Sequence, residues 1–155
     1  MIDHYGIKPG DKILDIGCGK GYQLFELTQL CPGLEVYGLD ISSYAIEHGK
    51  EEIKDRLQVC HANDLPFPDN YFDFVFSLNT LHNLPNYELD KALREMERVG
   101  KKNKYLCLES FRTEAEKVNL LYWQVTCRAF CSPEEWDWWF KQTGYTGDHS
   151  FIYFE

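Results

Sequence analysis

The sequence predicts an α/β fold, a doubly wound and mostly parallel sheet with helices on both faces, and three observations carry that expectation. Short runs of nearly continuous apolar residues alternate with stretches of helical spacing, the first run empties into a cluster of glycines, and the second ends on an aspartate. Strands that are apolar on both faces belong to sheets covered by helices on each side.

Lys12 to Ile16 reads as the first strand, and Leu24, Leu27, Thr28 and Cys31 then share one helical face until Pro32-Gly33 stops the helix. Glu35 to Leu39 is the second strand, closed by Asp40; Ser42 or Ser43 caps a helix reaching about Lys54, and Leu57 to Cys60 is the third strand. Phe72 to Leu78 is a fourth, followed by a helix carrying Leu89, Leu93 and Met96, and Lys104 to Leu108 is a fifth. Beyond it Ala115, Val118, Leu121, Tyr122, Val125 and Ala129 fall on one stripe, which predicts a helix burying Val118, Leu121 and Val125. Ser132-Pro133-Glu134-Glu135 is a capping box with proline at the first helical position, and its helix, with Trp136, Trp138, Trp139 and Phe140, ends at Gly144. Phe151 to Phe154 predicts a closing strand, apolar on both faces and so placed inside the sandwich.

The 155 residues suit a single domain spanning 1–155, with 44% hydrophobic and 15% aromatic residues to fill one core. Sixteen basic against 25 acidic residues give a net charge of −9, which repels phosphate backbones and anionic lipid, so neither nucleic acid nor a membrane surface is an expected partner. No apolar run approaches the ~20 residues that span a bilayer, and the start Met1-Ile2-Asp3-His4-Tyr5 lacks signal-peptide character; a cytoplasmic location is expected. The six cysteines form no CxxC pair and sit in apolar runs, so reduced, mostly buried thiols are expected, and no metal site.

The chemistry concentrates at Leu14-Asp15-Ile16-Gly17-Cys18-Gly19-Lys20-Gly21, where a strand runs through glycines into a helix. Glycines allow a sharp turn and close approach of a ligand, and the helix start offers free amides. The GxGxxG dinucleotide pattern fails because Tyr22 stands at its third small position, and no Gly-Lys-Ser/Thr follows for a phosphate loop. Asp15 adds a carboxylate that repels a pyrophosphate and welcomes a cation. Asp40, ending the second strand, is placed to take both hydroxyls of a ribose. A glycine loop, a cation-seeking acid and a ribose-binding acid describe an adenosine ligand without phosphates.

On these motifs the chain resembles the class I S-adenosylmethionine-dependent methyltransferases, over about Lys12 to Gly144. The resemblance implies S-adenosylmethionine as cofactor, held by Asp15, Gly17, Cys18, Gly19, Gly21, Asp40 and Ile41. His61-Ala62-Asn63-Asp64-Leu65-Pro66-Phe67-Pro68-Asp69 looks like the adenine-side loop of the small-molecule branch that includes quinone-biosynthesis enzymes. Relatives often carry aspartate where His61 stands, so the adenine amino partner is open among His61, Asn63 and Asp64, with the Ala62 amide facing a ring nitrogen. Ser77-Leu78-Asn79-Thr80-Leu81-His82 resembles the segment at the methionine end, which puts Ser77 and Asn79 on the cofactor and makes His82 the candidate base. Glu109, at the end of the fifth strand, with Tyr122 and Trp123, is the expected acceptor side.

Two departures stand out against such relatives: about eleven residues precede the first strand, and one strand rather than two is readable after the fifth. Cover for the site is therefore sought in residues 111–131, in Met1 to Pro9, or in a second copy forming a homodimer. The expected reaction is in-line methyl transfer to a small-molecule acceptor. The competing readings are a non-catalytic module binding S-adenosylmethionine or S-adenosylhomocysteine, and a protein-directed methyltransferase needing a partner.

Overall fold

A computed structural model describes all 155 residues. Six strands, β1 (Lys12–Ile16), β2 (Glu35–Asp40), β3 (Leu57–Val59), β4 (Phe72–Leu78), β5 (Gly100–Glu109) and β6 (Asp148–Ile152), form one sheet in the order β3-β2-β1-β4-β5-β6. Every neighbouring pair is parallel. The order reverses between β1 and β4, and the crevice outside the carboxyl ends at such a switch is where ligands of open α/β sheets bind.

The two faces bury separate cores. Leu14, Ile16, Phe72, Val75, Leu106 and Leu108 point toward α4 (Asn86–Val99) and α6 (Pro133–Thr143), meeting Leu89, Leu93, Met96, Trp136 and Phe140. Ile13, Val36, Phe74 and Phe76 point the other way, toward α1 (Ile2–Tyr5) and α2 (Tyr22–Leu30). An irregularity between Phe72 and Phe74 lets β4 feed both cores with phenylalanines. Ser132 caps α6 with a full capping box, and Gly144 ends it in the left-handed conformation.

Three boundaries differ from expectation. The helix after β2 is short, α3 (Ser43–Glu47), capped by Ser42, and the chain resumes as a 3₁₀ helix over Glu51–Arg56. Gly49 explains the break, since a Cβ there would lie 2.5 Å from Leu57 and the segment must cross β3 closely. The expected stripe on α5 (Glu114–Trp123) is turned outward: Glu116 and Leu120 are buried, whereas Val118, Leu121, Tyr122, Trp123 and Val125 are exposed. The Thr113 hydroxyl and the Glu116 carboxylate, which takes the Arg112 amide, fix that rotation. The closing strand is Asp148–Ile152 rather than Phe151–Phe154, and it lies at the sheet edge, where its pairing with Tyr105–Glu109 sets its limits.

Candidate active site

The glycine loop is built by hydrogen bonds to the end of β2. Gly17 and Cys18 donate to the Leu39 carbonyl at 2.7 and 3.0 Å, and Gly19 donates to Asp40 Oδ2 at 2.8 Å. Asp40 Oδ1 accepts from the Ser42 amide at 2.8 Å, so the carboxylate is oriented by two backbone donors and keeps further lone pairs for a ligand. Gly17 and Gly19 both have positive φ, at 84° and 54°. A Cβ on Gly17 would run into the Thr80 side chain at 2.1 Å, whereas one on Gly19 would meet nothing within 4 Å. Gly17 is thus a packing glycine, and Gly19 faces open space where a ligand can approach the backbone. Gly21 packs against Ile53 and Leu57, and the Cys18 side chain is buried in the core beneath the loop.

Asp15 lies under this loop, 4% exposed, and its Oδ1 has no hydrogen-bond partner. Burial, reinforced by Asp40, pushes its carboxyl up to about 8. A buried carboxyl without a partner is costly, and a cationic ligand group placed against it would remove the cost. This orphaned oxygen, the oriented Asp40 and the empty space over Gly19 fit the positively charged methionine moiety and ribose of S-adenosylmethionine.

On the adenine side, 61–64 forms a turn after β3, with His61 and Asp64 exposed and Ala62 and Asn63 half-buried. Ile41, 62% exposed, stands beside it at the end of β2. The adjoining loop is pinned by two residues that the sequence reading did not single out. Arg98 donates to the Leu65 and Phe67 carbonyls at 3.0 and 2.7 Å and to Asp69 at 2.9 Å, while Glu95 accepts from the Leu65 amide at 2.8 Å and pairs with Arg98. Their spacing on α4 was the only sequence signal, a helix pair like many others.

Beyond β4 the expected residues separate. Ser77 is buried and donates to the Ile16 carbonyl at 2.7 Å, bracing β1 against β4. Asn79 is exposed and held in the left-handed region at φ 53°, a strained conformation for a non-glycine residue. His82, in the 3₁₀ helix Leu81–Asn83, is fully buried, and burial pushes its imidazole down to about 4. Its Nδ1 accepts from the Glu109 amide at 3.3 Å, which assigns the hydrogen to Nε2. Nε2 lies 3.3 Å from Glu109 Oε2, out of line for a hydrogen bond, so both atoms are left without one.

Glu109 is 1% exposed, and burial raises its carboxyl above the ordinary range. Its Oε1 accepts from Gln124, and its carbonyl accepts from the Trp136 indole at 3.1 Å. The His82 carbonyl takes the Arg128 and Ala129 amides at 2.9 Å each, so the segment after α5 is tied down over β4 and β5. Gln124, absent from the sequence reading, thereby joins the site, while Tyr122 and Trp123, 84% and 74% exposed, point away from Glu109. The buried polar side-chain atoms that lack a partner, on Asp15, His82, Asn83 and Glu109, all lie at or just beyond the carboxyl ends of β1, β4 and β5. A cavity of about 630 Å³ beside His4, Tyr5, Tyr105 and Asp148 opens at the amino end of β6 and is lined by none of them.

Comparison with known proteins agrees with this geometry. Residues 14–108 match the family model described as a methyltransferase domain. The demethylmenaquinone methyltransferase of Anoxybacillus flavithermus is 37% identical over 125 residues, covering 76% of this chain and 52% of that one. That of Staphylococcus aureus is 34% identical over 152 residues, covering 89% and 62%. The chain therefore spans about half to three-fifths of the length of these relatives. Among solved structures, the YcgJ protein of Bacillus subtilis superposes with a TM-score of 0.74 at 25% identity, over 92% of this chain and 65% of that one. A putative methyltransferase of Haloferax volcanii, solved in complex with the Trm112 methyltransferase activator, shares the fold with a TM-score of 0.76 at 24% identity, over 92% and 66%. With the family match over residues 14–108, relatives above 30% identity and the shared parallel-sheet fold, the chain belongs to the class I S-adenosylmethionine-dependent methyltransferases.

Proposed function

We propose that the protein transfers a methyl group from S-adenosylmethionine to a small-molecule acceptor, and that the acceptor is a quinone-type ring in its reduced, dihydroxy form. The observation that carries the first part is Asp15, a buried carboxyl with an unpartnered oxygen beneath an open glycine loop. The second part draws on the relatives of Anoxybacillus flavithermus and Staphylococcus aureus, which are demethylmenaquinone methyltransferases.

The cofactor, when bound, would supply an electrophilic methyl group: an acceptor atom attacks its carbon in line, the carbon–sulfur bond breaks, and S-adenosylhomocysteine leaves. Asp15 balances the cofactor's positive charge, Asp40 takes the ribose hydroxyls, and the 61–64 turn receives the adenine. What the chain adds to the chemical step is chiefly alignment, worth up to roughly 7–11 kcal/mol for well-oriented groups. Base catalysis adds a smaller factor, about 10²–10⁴. With Nδ1 taking the Glu109 amide, a neutral His82 carries its hydrogen at Nε2 and has no free lone pair, so its part is to hold the Glu109 backbone in place through that amide. Glu109 Oε2 is the proton acceptor of the site, and the raised affinity of its carboxylate for protons suits that role.

The test is calorimetry with S-adenosylhomocysteine and NAD, followed by incubation with methyl-labelled S-adenosylmethionine and a panel of hydroxylated naphthalenes, benzenes and non-aromatic acceptors. Micromolar S-adenosylhomocysteine binding with label in the aromatic diols is expected. Binding of NAD in its place removes the cofactor assignment, and label confined to non-aromatic acceptors removes the quinone assignment.

A further inference from the structure

We infer that Gln124 is the positioning residue of this site: from the segment that follows α5 it donates to Glu109 Oε1, which keeps the carboxyl in its charged form and leaves Oε2 as the one oxygen where a proton is taken up. This role presupposes that Glu109 is the proton acceptor, as proposed above for methyl transfer, and supplies what makes it one. The other polar atoms of Glu109 are all engaged. Its amide donates to His82 Nδ1 at 3.3 Å, its carbonyl accepts from the Trp136 indole at 3.1 Å, and its Oε1 accepts from Gln124 Nε2, so that Oε2 alone has no partner. A carboxylate accepts hydrogen bonds on both oxygens, and a donor fixed on one of them sends an incoming proton to the other.

No cation shares this work. The titratable groups near the carboxyl are His82, from the 3₁₀ helix Leu81–Asn83, and Cys127, from the same segment as Gln124. Burial pushes the imidazole down to about 4 and the thiol up to about 12, so both are neutral between those limits. From α6 the neighbour is the Trp136 indole, which goes to the Glu109 carbonyl and not to its carboxyl. Burial without a cationic partner drives a carboxyl toward its neutral form, and the Gln124 amide is the group that works against that drive. A hydrogen bond to a charged acceptor is roughly twice as strong as one between neutral groups, so the amide favours the carboxylate over the acid.

Gln124 is itself held in place. Its backbone amide donates to the Leu120 carbonyl at 2.9 Å and closes α5, its Oε1 accepts from the Thr126 hydroxyl at 3.4 Å, and four residues on, the Arg128 and Ala129 amides tie the segment to the His82 carbonyl. Behind it, α5 is fastened by Asn119 to the Phe154 carbonyl at 3.1 Å and by Trp123 stacked on the Phe154 ring. The reverse orientation of the amide would set its oxygen against a carboxylate oxygen and lose the Thr126 contact, so the nitrogen faces Glu109. A Gln124 that merely held the segment down would act on Glu109 in the opposite sense. Losing a donor makes the carboxylate harder to form, whereas loosening the cover admits water, which solvates the charge and makes it easier.

The experiment titrates Glu109 directly, by carbon NMR of the full chain labelled at its glutamate carboxyl carbons, with neither cofactor nor acceptor present. The Glu109 signal is the one missing from Glu109→Gln. Gln124→Met keeps the bulk of the side chain without its donor and should raise the titration midpoint by about one pH unit or more, and Gln124→Lys, which supplies a charged donor, should lower it by about as much. Gln124 is only half-buried, so circular dichroism should be unchanged in both. A midpoint that stays or falls in the methionine variant, or that stays or rises in the lysine variant, overturns the role inferred for Gln124. Methyl transfer is followed separately, from methyl-labelled S-adenosylmethionine to an aromatic diol, and the acid limb of its pH profile should move with the midpoint in each variant. An acid limb that stays in place while the midpoint moves removes Glu109 as the proton acceptor of the reaction, and leaves Gln124 as the group that sets its charge.

Discussion

His82 Nε2 and Glu109 Oε2 lie 3.3 Å apart, both side chains shut off from water, with the Glu109 amide bonded to the other ring nitrogen. A neutral imidazole therefore sits against a carboxyl group at the carboxyl ends of β4 and β5. Burial holds His82 down to about 4, against an unfolded value near 6.5. Below that unfolded value the unfolded chain takes a proton that the folded chain refuses, so this group's contribution falls as pH drops from about 6.5 to 4 and is constant above. Denaturant titrations from pH 4 to 8 should show the acid loss in the wild type and its absence in His82→Asn. An identical profile in the variant would mean that His82 is not the group responsible. His82→Ala should cost about 2–4 kcal/mol at pH 7 through lost packing and stranded partners.

Asp15 works in the opposite sense and is read through the ligand. Its folded-state value near 8 lies far above the unfolded one, so the free protein is stabilised by holding a proton and loses that contribution as pH rises through 8. A cationic ligand needs the carboxylate, so binding releases the proton. The affinity for S-adenosylhomocysteine, whose ammonium group is retained, should rise with pH between about 5 and 8 and then level off. Calorimetry in buffers of different ionisation enthalpy would count the released proton. Asp15→Asn should bind more weakly at pH 8 with the pH dependence gone; a pH slope that survives the substitution places the linked proton elsewhere.

Gly17 and Gly19 look alike in sequence and should differ in the test tube. Gly17→Ala pushes a methyl group into Thr80, and Gly19→Ala points one into open space, though each forces alanine to a positive φ at a cost of about 1–2 kcal/mol. Thermal melts should show Gly17→Ala as the more damaging. Gly19→Val should stay folded and lose S-adenosylhomocysteine binding by at least tenfold. If Gly19→Val unfolds, the open space above it is not the reason for the glycine.

These differences mark what a sequence shows and what it hides. The strand, the glycines and Asp40 were legible because their signals are contiguous: an apolar run, residues that tolerate positive φ, an acid at a strand end. The orientation of α5 was not, because a stripe of Val118, Leu121 and Val125 states that one face is apolar without stating which face meets the sheet. Glu116 is buried and takes the Arg112 amide and guanidinium, which turns the opposite, apolar face of the helix outward. The limits of β6 depend on pairing with β5, and Gln124 meets Glu109 only because the chain returns across 15 residues. His82 was placed at the site by its position, but its burial and its hydrogen bond from the Glu109 amide are properties of the packed site that no sequence signal carries.

Arg98 offers the sharpest separation between holding the fold and holding the cofactor. From α4 it reaches the Leu65 and Phe67 carbonyls and Asp69, while its partner Glu95 takes the Leu65 amide, so one ion pair fixes the loop that continues directly from Asp64. Arg98→Ala strands two carbonyls and frees Glu95, for an expected loss of about 1–3 kcal/mol in stability. Arg98→Lys keeps the charge but not the planar fork, so it should recover less than half of that loss. If the loop presents the 61–64 turn to adenine, both variants should also weaken binding of adenosine itself, by about threefold to tenfold, with the Asp15-linked pH dependence of S-adenosylhomocysteine intact. Methionine-side contacts do not involve this loop, so sinefungin and adenosine should lose the same factor. Adenosine affinity unchanged beside a lowered melting temperature would reduce Arg98 to a brace of the fold and move the adenine site off the 61–64 turn.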